Sequence, residues 1–234
     1  MHCIRLVLLL ALGACASANA TQHTPSSGGE HTQEHHGHHG QGHNHDFSDV
    51  ERFAAIFDAP DRDEWQKPEE LVAQMALTPG TVVADLGAGT GYFLGRLSEA
   101  VGPEGRVDAL DVEPAMVAHM QERAAREGLE NVTARVIGMD DPGLDDASVD
   151  AILIVDTWHH IAERPSYAAK LLRALKPGGV VWVVDFTLDA PQGPPVEMRL
   201  APEQTIRELT EGGFSAQVVN ETMPHQYLVR AVAP

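Results

Sequence analysis

The stretch VVADLGAGTGY at residues 82–92 decides the fold of this chain. Its first half is apolar and β-branched, as in a strand buried on both faces, and its second half places Gly87, Gly89 and Gly91 at the turn into the next helix. Glycines at such a turn let the backbone approach a ligand closely. The stretch therefore predicts a strand, a ligand-binding loop and a helix, in that order.

Strand and helix signals alternate along the rest of the chain. This alternation predicts an α/β fold with a doubly wound, mostly parallel seven-stranded sheet over residues 69–234. The last two strands have no helix between them, which predicts an antiparallel hairpin at the sheet edge. The predicted strands are 81–86, 106–111, 132–137, 149–155, 180–186, 215–219 and 227–231, and the predicted helices are 69–77, 92–101, 113–127, 166–175 and 202–211. Ligands of such sheets bind beyond the carboxyl ends of the strands.

The glycine loop does not fit the two commonest nucleotide-binding patterns. A dinucleotide fold requires G-x-G-x-x-G, but Tyr92 follows Gly91, and a P-loop requires a Lys with Ser or Thr that is absent after this strand. Asp85, two residues before the first glycine, would repel a pyrophosphate but attract a cationic amino group. The loop therefore favours a ligand that carries positive charge.

Residues 82–91 resemble motif I of class I S-adenosylmethionine-dependent methyltransferases, and Leu175-Lys176-Pro177-Gly178-Gly179 resembles the turn before the fifth strand of that Rossmann-like fold. The resemblance covers about residues 65–234 and is closest to the branch with ubiquinone and menaquinone C-methyltransferases. It implies S-adenosylmethionine as the cofactor. The residues implied to bind it are Asp85, Gly87, Ala88, Gly89, Thr90, Gly91, Asp111, Val112, Asp140 and Asp141.

The resemblance assigns a role to several of these residues. The glycines are expected to line the methionine moiety, with the loop at the helix N-terminus suited to its carboxylate. Asp111 closes the second predicted strand, where it can accept hydrogen bonds from the ribose hydroxyls. Asp140, beside Asp141, is the first choice for accepting from the adenine amino group. Each acidic residue alone could equally be surface charge, and their joint placement after successive strands carries the assignment.

The candidate catalytic residues are Asp156, His159 and His160, which follow the fourth predicted strand. Methyl transfer needs a base only where the acceptor must lose a proton, and imidazole can take one near neutral pH. Alternatively, these side chains cap the strand or pack beneath a lid. Trp158 and Tyr92 are expected either to flank the sulfonium or to belong to the core.

Two segments are expected to contact the methyl acceptor: an N-terminal lid at residues 47–68 and a proline-rich loop at 188–202. The net charge of −18 would repel a phosphate backbone, so a small-molecule acceptor is expected and nucleic acid is not. The sequence predicts no oligomeric state.

Residues 1–20 are typical of an export signal, with Arg5 before an apolar stretch too short to span a bilayer. Leu12-Gly13-Ala14-Cys15 resembles a lipobox, which implies lipidation at Cys15 and an exported, periplasmic lipoprotein that meets the membrane only through its anchor. The alternatives are a plain leader cut after Ala18 or Ala20, and a misassigned start that leaves a cytoplasmic enzyme. Both cysteines lie within the first fifteen residues, which excludes thiol chemistry further along the chain.

Residues 21–46 are polar, glycine-rich and histidine-rich, which predicts a disordered linker. Its histidines could chelate Zn, Ni or Cu, although a solvated spacer has the same composition. The candidate metal ligands are His35, His36, His38, His39, His43 and His45.

Two functions follow from these observations. The first is transfer of a methyl group from S-adenosylmethionine to a small molecule. The second is an exported metal-binding lipoprotein whose domain binds the cofactor without catalysis. The leader sets a problem for the first function, because S-adenosylmethionine is made in the cytosol.

Overall fold

The computed structural model describes residues 49–219 and 222–234. The predicted leader, its lipidation site Cys15 and the linker with its six candidate metal ligands lie outside these residues. Those assignments, and the domain boundaries drawn through them, stay predictions. Among the described residues, no helix is long and apolar enough to cross a membrane.

A seven-stranded sheet forms the centre of the described chain. Its strands are β1 (Val82–Leu86), β2 (Arg106–Asp111), β3 (Val132–Val136), β4 (Val149–Val155), β5 (Leu175–Phe186), β6 (Ser215–Val218) and β7 (Gln226–Val232). The strand order is β3-β2-β1-β4-β5-β7-β6, in which β1 to β5 are parallel and β7 is antiparallel to both neighbours. The predicted fold class, including the antiparallel edge strands, is confirmed.

Seven α-helices surround the sheet in the described chain: α1 (Val50–Phe57), α2 (Arg62–Gln66), α3 (Pro68–Met75), α4 (Leu94–Val101), α5 (Pro114–Glu127), α6 (Arg164–Ala174) and α7 (Pro202–Glu211). Short 3₁₀ turns occupy Trp158–His160 and Val196–Met198. Local chemistry sets several ends. Helix α5 begins with Pro114, whose missing N–H costs nothing in the first turn, and stops at Gly128, which adopts a left-handed φ of 68°.

The helices pack on both faces of the sheet. Successive side chains of a strand point to opposite faces, so Ile152 and Ile154 of β4 join one apolar cluster while Leu153 joins the other. Leu171 and Leu209, from α6 and α7, cover the first face, and α3, α4 and α5 cover the second. The central strands are therefore buried on both sides, as their largely apolar sequences predict, whereas the edge strands β3 and β6 contain no buried residue.

Strand β5 is longer than predicted. The sequence Lys176 to Gly179 was expected to be a turn before a strand starting at Val180, but β5 begins at Leu175, which pairs with Val149. The register shifts between this pair and the next, Ala151 with Val180, so the Pro-Gly-Gly segment forms an irregularity within the strand.

The strand order reverses between β1 and β4, because the chain runs outward through β2 and β3 on one side and through β5 on the other. A crevice opens at such a reversal, beyond the carboxyl ends of the strands. The glycine loop and the candidate catalytic residues both lie there.

Candidate active site

A cavity of about 550 Å³ lies at the carboxyl ends of β1, β2 and β4. The glycine loop and the ends of these strands form its floor. The lid segment covers one side through α1 and α2, and the loop around Gly193 and Met198 covers another. Both segments predicted to contact the acceptor therefore line the same cavity as the predicted cofactor loop.

The glycine loop is held by the protein itself. Gly87 has a left-handed φ of 74°, and a Cβ there would lie 2.3 Å from Thr157 Oγ1, so only glycine fits. The N–H groups of Gly87 and Ala88 donate to the Leu110 carbonyl, and that of Gly89 donates to Asp111 Oδ2 at 2.8 Å. The Gly91 N–H donates to the Ala88 carbonyl. Four loop N–H groups therefore already donate within the protein, and the expected contact between the loop and a ligand carboxylate stays a prediction.

Asp85 is buried at the end of β1 and faces the cavity. Its Oδ2 atom is buried and has no hydrogen-bond partner among the described residues. Burial raises the pKa of Asp85 to about 7, Arg62 opposes this rise and Asp111 adds to it. A buried carboxylate without a partner is costly, so this atom suits a ligand that brings a hydrogen-bond donor and positive charge.

Asp111 and Val112 both line the cavity beyond β2. Asp111 accepts hydrogen bonds from the N–H groups of Gly89 and Glu113, at 2.8 and 2.9 Å. Burial raises its pKa, while these backbone hydrogen bonds act in the opposite direction. A carboxylate has about four acceptor positions, so Asp111 retains capacity for the ribose contact predicted for it.

Other predicted cofactor residues lie further from the cavity. Asp140 and Asp141 are exposed and do not line it, although the neighbouring Met139 does. Asp141 Oδ1 instead accepts from the Gly143 N–H at 2.9 Å. Gly91 does not line the cavity either, and a Cβ there would be 2.6 Å from Leu94 Cδ1. The adenine contact assigned to Asp140 stays a prediction that this geometry does not favour.

His159 forms a buried pair with Asp185, a residue that the sequence analysis did not single out. Its Nδ1 atom lies 2.9 Å from both carboxylate oxygens, and the two side chains are 2% and 0% exposed. Phe186 N–H also donates to Asp185 Oδ1. His160 lies beside His159, with ring centroids 4.2 Å apart, and both histidines line the cavity. Asp185 sits near the carboxyl end of β5, so the strand-end rule that selected Asp111 would have selected it too.

Asp156 follows β4 in a left-handed conformation, with a φ of 53°. Such a backbone is costly for a residue with a side chain and is concentrated at functional sites. Gln226 Nε2 donates to Asp156 Oδ1 at 2.6 Å, and Arg62 Nη2 lies 4.0 Å from Oδ2. Withdrawal from water, followed by the nearby charge of Asp185, raises the pKa of Asp156 to about 7.

The two aromatic residues expected either to flank the sulfonium or to belong to the core lie in different places. Trp158 is fully buried in the core and donates from Nε1 to Glu208 Oε2 at 3.1 Å. Tyr92 lines the cavity, and the Arg62 guanidinium lies 3.9 Å from its ring centroid. Of these two side chains, only Tyr92 lines the cavity, so only Tyr92 remains a candidate to flank the sulfonium.

The lid is tied to the glycine loop through Asp58, directly after α1. Its Oδ1 atom accepts from Thr90 Oγ1 at 3.0 Å and from Arg123 Nη1 at 3.2 Å. Arg123, on α5, also donates to the Thr90 carbonyl. A side chain at Gly89 would meet the Phe57 ring at 3.5 Å, so the lid rests directly on the loop.

The residues present fit S-adenosylmethionine. The unpartnered Asp85 oxygen suits the ammonium group, and the spare capacity of Asp111 suits a ribose. Within the described ranges, no group of three or more His, Cys, Asp or Glu side chains could hold a metal ion.

Comparison with known proteins places this site in context. Residues 83–179 match a family model described as a methyltransferase domain. An arsenite methyltransferase of Halobacterium salinarum is 31% identical over 60% of this chain, and a ubiquinone/menaquinone biosynthesis C-methyltransferase of Hydrogenovibrio crunogenus is 30% identical over 47%. The chain spans 39% and 44% of the lengths of these two relatives.

A solved structure agrees over a larger share of the chain. The crystal structure of a SAM-dependent methyltransferase from Aquifex aeolicus covers 82% of this chain, is itself covered completely, and is 29% identical with a TM-score of 0.75. These findings confirm the resemblance carried by residues 82–91. Residues 83–179 therefore match a methyltransferase domain, and the fold of the chain is that of the S-adenosylmethionine-dependent methyltransferases.

Proposed function

We propose that this chain transfers a methyl group from S-adenosylmethionine to a small, largely apolar acceptor, and that His159 removes a proton from that acceptor. The observation that carries the proposal is the His159–Asp185 pair in the wall of the cavity that also contains the glycine loop. A cofactor loop and an oriented base open to the same space, which is what a methyl transfer with proton removal requires.

Asp185 fixes the state of His159. An ionised carboxylate only accepts hydrogen bonds, so Nδ1 carries the hydrogen and Nε2 is left as the basic nitrogen. Once Nε2 has taken a proton, the buried Asp185 stabilises the resulting imidazolium. When bound, S-adenosylmethionine supplies a methyl group on a sulfonium, whose departure as a thioether needs no acid. The work of this chain is therefore to align the acceptor, exclude water and hold one proton at His159.

The walls near this pair favour an apolar acceptor. Trp65 of the lid and Phe186 of β5 lie with ring centroids 5.7 Å apart, tilted by 37°. Ile161 and Met198 also line this part of the cavity. Such walls gain free energy by burying apolar surface. The acceptor class we propose is a small molecule with an apolar body and one acidic O–H, N–H or C–H group.

Arsenite is not part of this proposal, although one relative is named for it. Trivalent arsenic is a soft, thiol-seeking centre, and residues 16–234 contain no cysteine. The two cysteines of the chain, Cys3 and Cys15, belong to the predicted leader.

Calorimetry of the full chain with S-adenosylmethionine tests the cofactor. Binding is expected, and the absence of heat at about 1 mM ligand would contradict the proposal. The base is then tested by release of S-adenosylhomocysteine with a panel of small hydroxyl, amine and carbon-acid acceptors.

The substitution His159→Asn should lower turnover of any acceptor found by about 10²- to 10⁴-fold, because general-base catalysis contributes about that much. His119→Asn is the matched control, since His119 lies on α5 away from the cavity. A thioether acceptor, which loses no proton, should be unaffected by His159→Asn. Equal losses with both acceptor classes would show that His159 is not the base.

We further propose that the chain is exported and tethered through Cys15, with the histidine tract binding Zn, Ni or Cu. The leader composition and the lipobox-like Leu12-Gly13-Ala14-Cys15 support the first part, and the spacing of imidazoles supports the second. Cell fractionation of Cys15→Ser should move the chain from the membrane to the soluble fraction. An unchanged distribution would contradict the tether.

A further inference from the structure

Arg62, on lid helix α2, is a buried cation with an unusual set of partners. It is 8% exposed and lines the cavity. Its Nε and Nη2 atoms donate to Gln66 Oε1 at 3.3 and 3.1 Å, and Nη1 donates to the Phe57 carbonyl. All of these acceptors are neutral. A buried guanidinium is normally matched by a hydrogen-bonded carboxylate, because an unmatched buried charge is costly.

The carboxylate that comes closest does not complete that match. Asp156 Oδ2 lies 4.0 Å from Arg62 Nη2, which is beyond hydrogen-bonding distance. Three aromatic rings surround the guanidinium, with Tyr92 at 3.9 Å and Trp65 and Phe93 at 5.9 Å from their centroids. Burial lowers the pKa of Arg62, although nearby acidic groups, with Asp156 the largest, act in the opposite direction.

A buried carboxylate oxygen without a partner lines the same cavity. Asp85 Oδ2 is buried and has no partner among the described residues. Arg62 is also the group that lowers the pKa of Asp85 against the effect of burial, so the two charges act on each other. One wall therefore offers an unmatched cation and another offers an unmatched anion. A ligand that carries both signs on one carbon would satisfy both.

Most backbone N–H groups of the glycine loop already have acceptors within the protein. The N–H groups of Gly87, Ala88, Gly89 and Gly91 already donate within the protein. A ligand carboxylate therefore cannot use these four N–H groups. A guanidinium, which presents paired N–H groups in a plane, is the side chain best suited to bind a carboxylate.

We propose that Arg62 binds the α-carboxylate of S-adenosylmethionine while Asp85 binds its α-ammonium group, so that the lid contacts the cofactor directly. This assignment rests on the proposed function. It makes Arg62 a binding residue supplied by a segment outside the matched methyltransferase domain. It also implies that α2 recognises the amino-acid half of the cofactor, whereas Asp111 recognises the nucleoside half.

Calorimetry of the full chain with three ligands separates these halves. S-adenosylhomocysteine carries both charged groups, its decarboxylated analogue lacks the carboxylate, and 5′-methylthioadenosine lacks the whole amino-acid half. Each ligand is titrated into the native chain, Arg62→Gln, Arg62→Lys and Arg52→Gln. Arg52 is the matched control, because it is an exposed arginine on the neighbouring lid helix α1.

The expected result is a selective loss. Arg62→Gln should weaken S-adenosylhomocysteine by about 10- to 100-fold, the usual value of a hydrogen bond to a charged group, and Arg62→Lys should restore part of it. The two ligands without a carboxylate should change by less than about threefold. Arg52→Gln should leave all three affinities unchanged.

Two results would overturn the assignment. Equal weakening of all three ligands by Arg62→Gln would make Arg62 only a lid anchor, and no weakening would exclude it from the site. If Arg62→Gln does not fold, the native chain decides, because decarboxylation of the ligand should itself reduce affinity by about 10- to 100-fold. If the native chain binds 5′-methylthioadenosine and does not prefer ligands that carry the carboxylate, the Arg62 assignment is refuted but the proposed function is not. Failure of every ligand to bind the native chain refutes the proposed function as well.

Discussion

Replacing Asp85 with Asn is expected to stabilise the ligand-free chain at pH 8. Burial raises the pKa of Asp85 from its ordinary value of 3.8 to about 7, with Arg62 opposing and Asp111 adding to the effect. The folded chain therefore holds a proton that the unfolded chain releases between these pH values. The stability contributed by this proton is present below pH 3.8 and is lost as the pH rises through 7.

The difference between the two pKa values of Asp85 sets the size of this change in stability. At about 1.4 kcal/mol per pKa unit, the full loss is roughly 4 kcal/mol, of which about 3 kcal/mol falls above pH 5. Asn carries no charge at any pH and escapes this loss. The free energy of unfolding of Asp85→Asn, relative to the native chain, should therefore rise by about 3 kcal/mol between pH 5 and pH 8.

Urea unfolding at pH 5 and pH 8, followed by circular dichroism, measures this difference. Asp108→Asn is the matched control on the neighbouring strand, because Asp108 is equally buried but lies 3.1 Å from Arg106 Nη2. Its loss removes an ion pair and should not stabilise the chain at pH 8. Parallel stability curves for Asp85→Asn and the native chain would refute the reasoning. Asp85→Asn should also lose the added stability that S-adenosylmethionine gives the native chain.

Three further substitutions or deletions test other parts of the structure. Gly87→Ala should cost about 3 kcal/mol and lower the melting temperature, because the residue is left-handed and its Cβ would overlap Thr157; an unchanged melting temperature would contradict the loop geometry. Asp111→Ala should weaken S-adenosylmethionine about tenfold or more in calorimetry, and unchanged affinity would refute the ribose contact. Deleting residues 31–45 should abolish retention on nickel resin, and retention after deletion would place any metal site elsewhere.

The sequence predicts the central strands well because they are buried on both faces and so are mostly apolar. Strand β4 (Val149–Val155) is apolar except for Asp150, and its predicted bounds match those observed. The predicted start of β5 at Val180 was wrong. Proline and glycine indicate a turn locally, but pairing of Leu175 with Val149 keeps this segment in the sheet. Local propensity gave way to a contact between distant residues.

The site was predictable where a residue ends a strand and less so elsewhere. Asp85 and Asp111 line the cavity because the carboxyl ends of parallel strands meet at one edge. Asp140 lies in a loop several residues beyond its strand, and loop geometry decides that it faces solvent. The position of Arg62 depends on how the lid folds back over the sheet, which no pattern of spacing specifies.

The walls of the cavity come from different parts of the chain. Asp85, Asp111 and Asp156 lie within residues 83–179, which match the methyltransferase domain, whereas Trp65 and Phe186 lie on either side of that range. In the proposed function, the central stretch supplies most of the cofactor contacts and the base His159, whereas the flanking stretches supply Arg62 and apolar walls for the acceptor. We expect relatives to change acceptor by changing those apolar walls while the central stretch and Arg62 stay intact. The same division makes the 188–202 loop a natural unit for grafting in chimeric enzymes, and a grafted lid should keep Arg62.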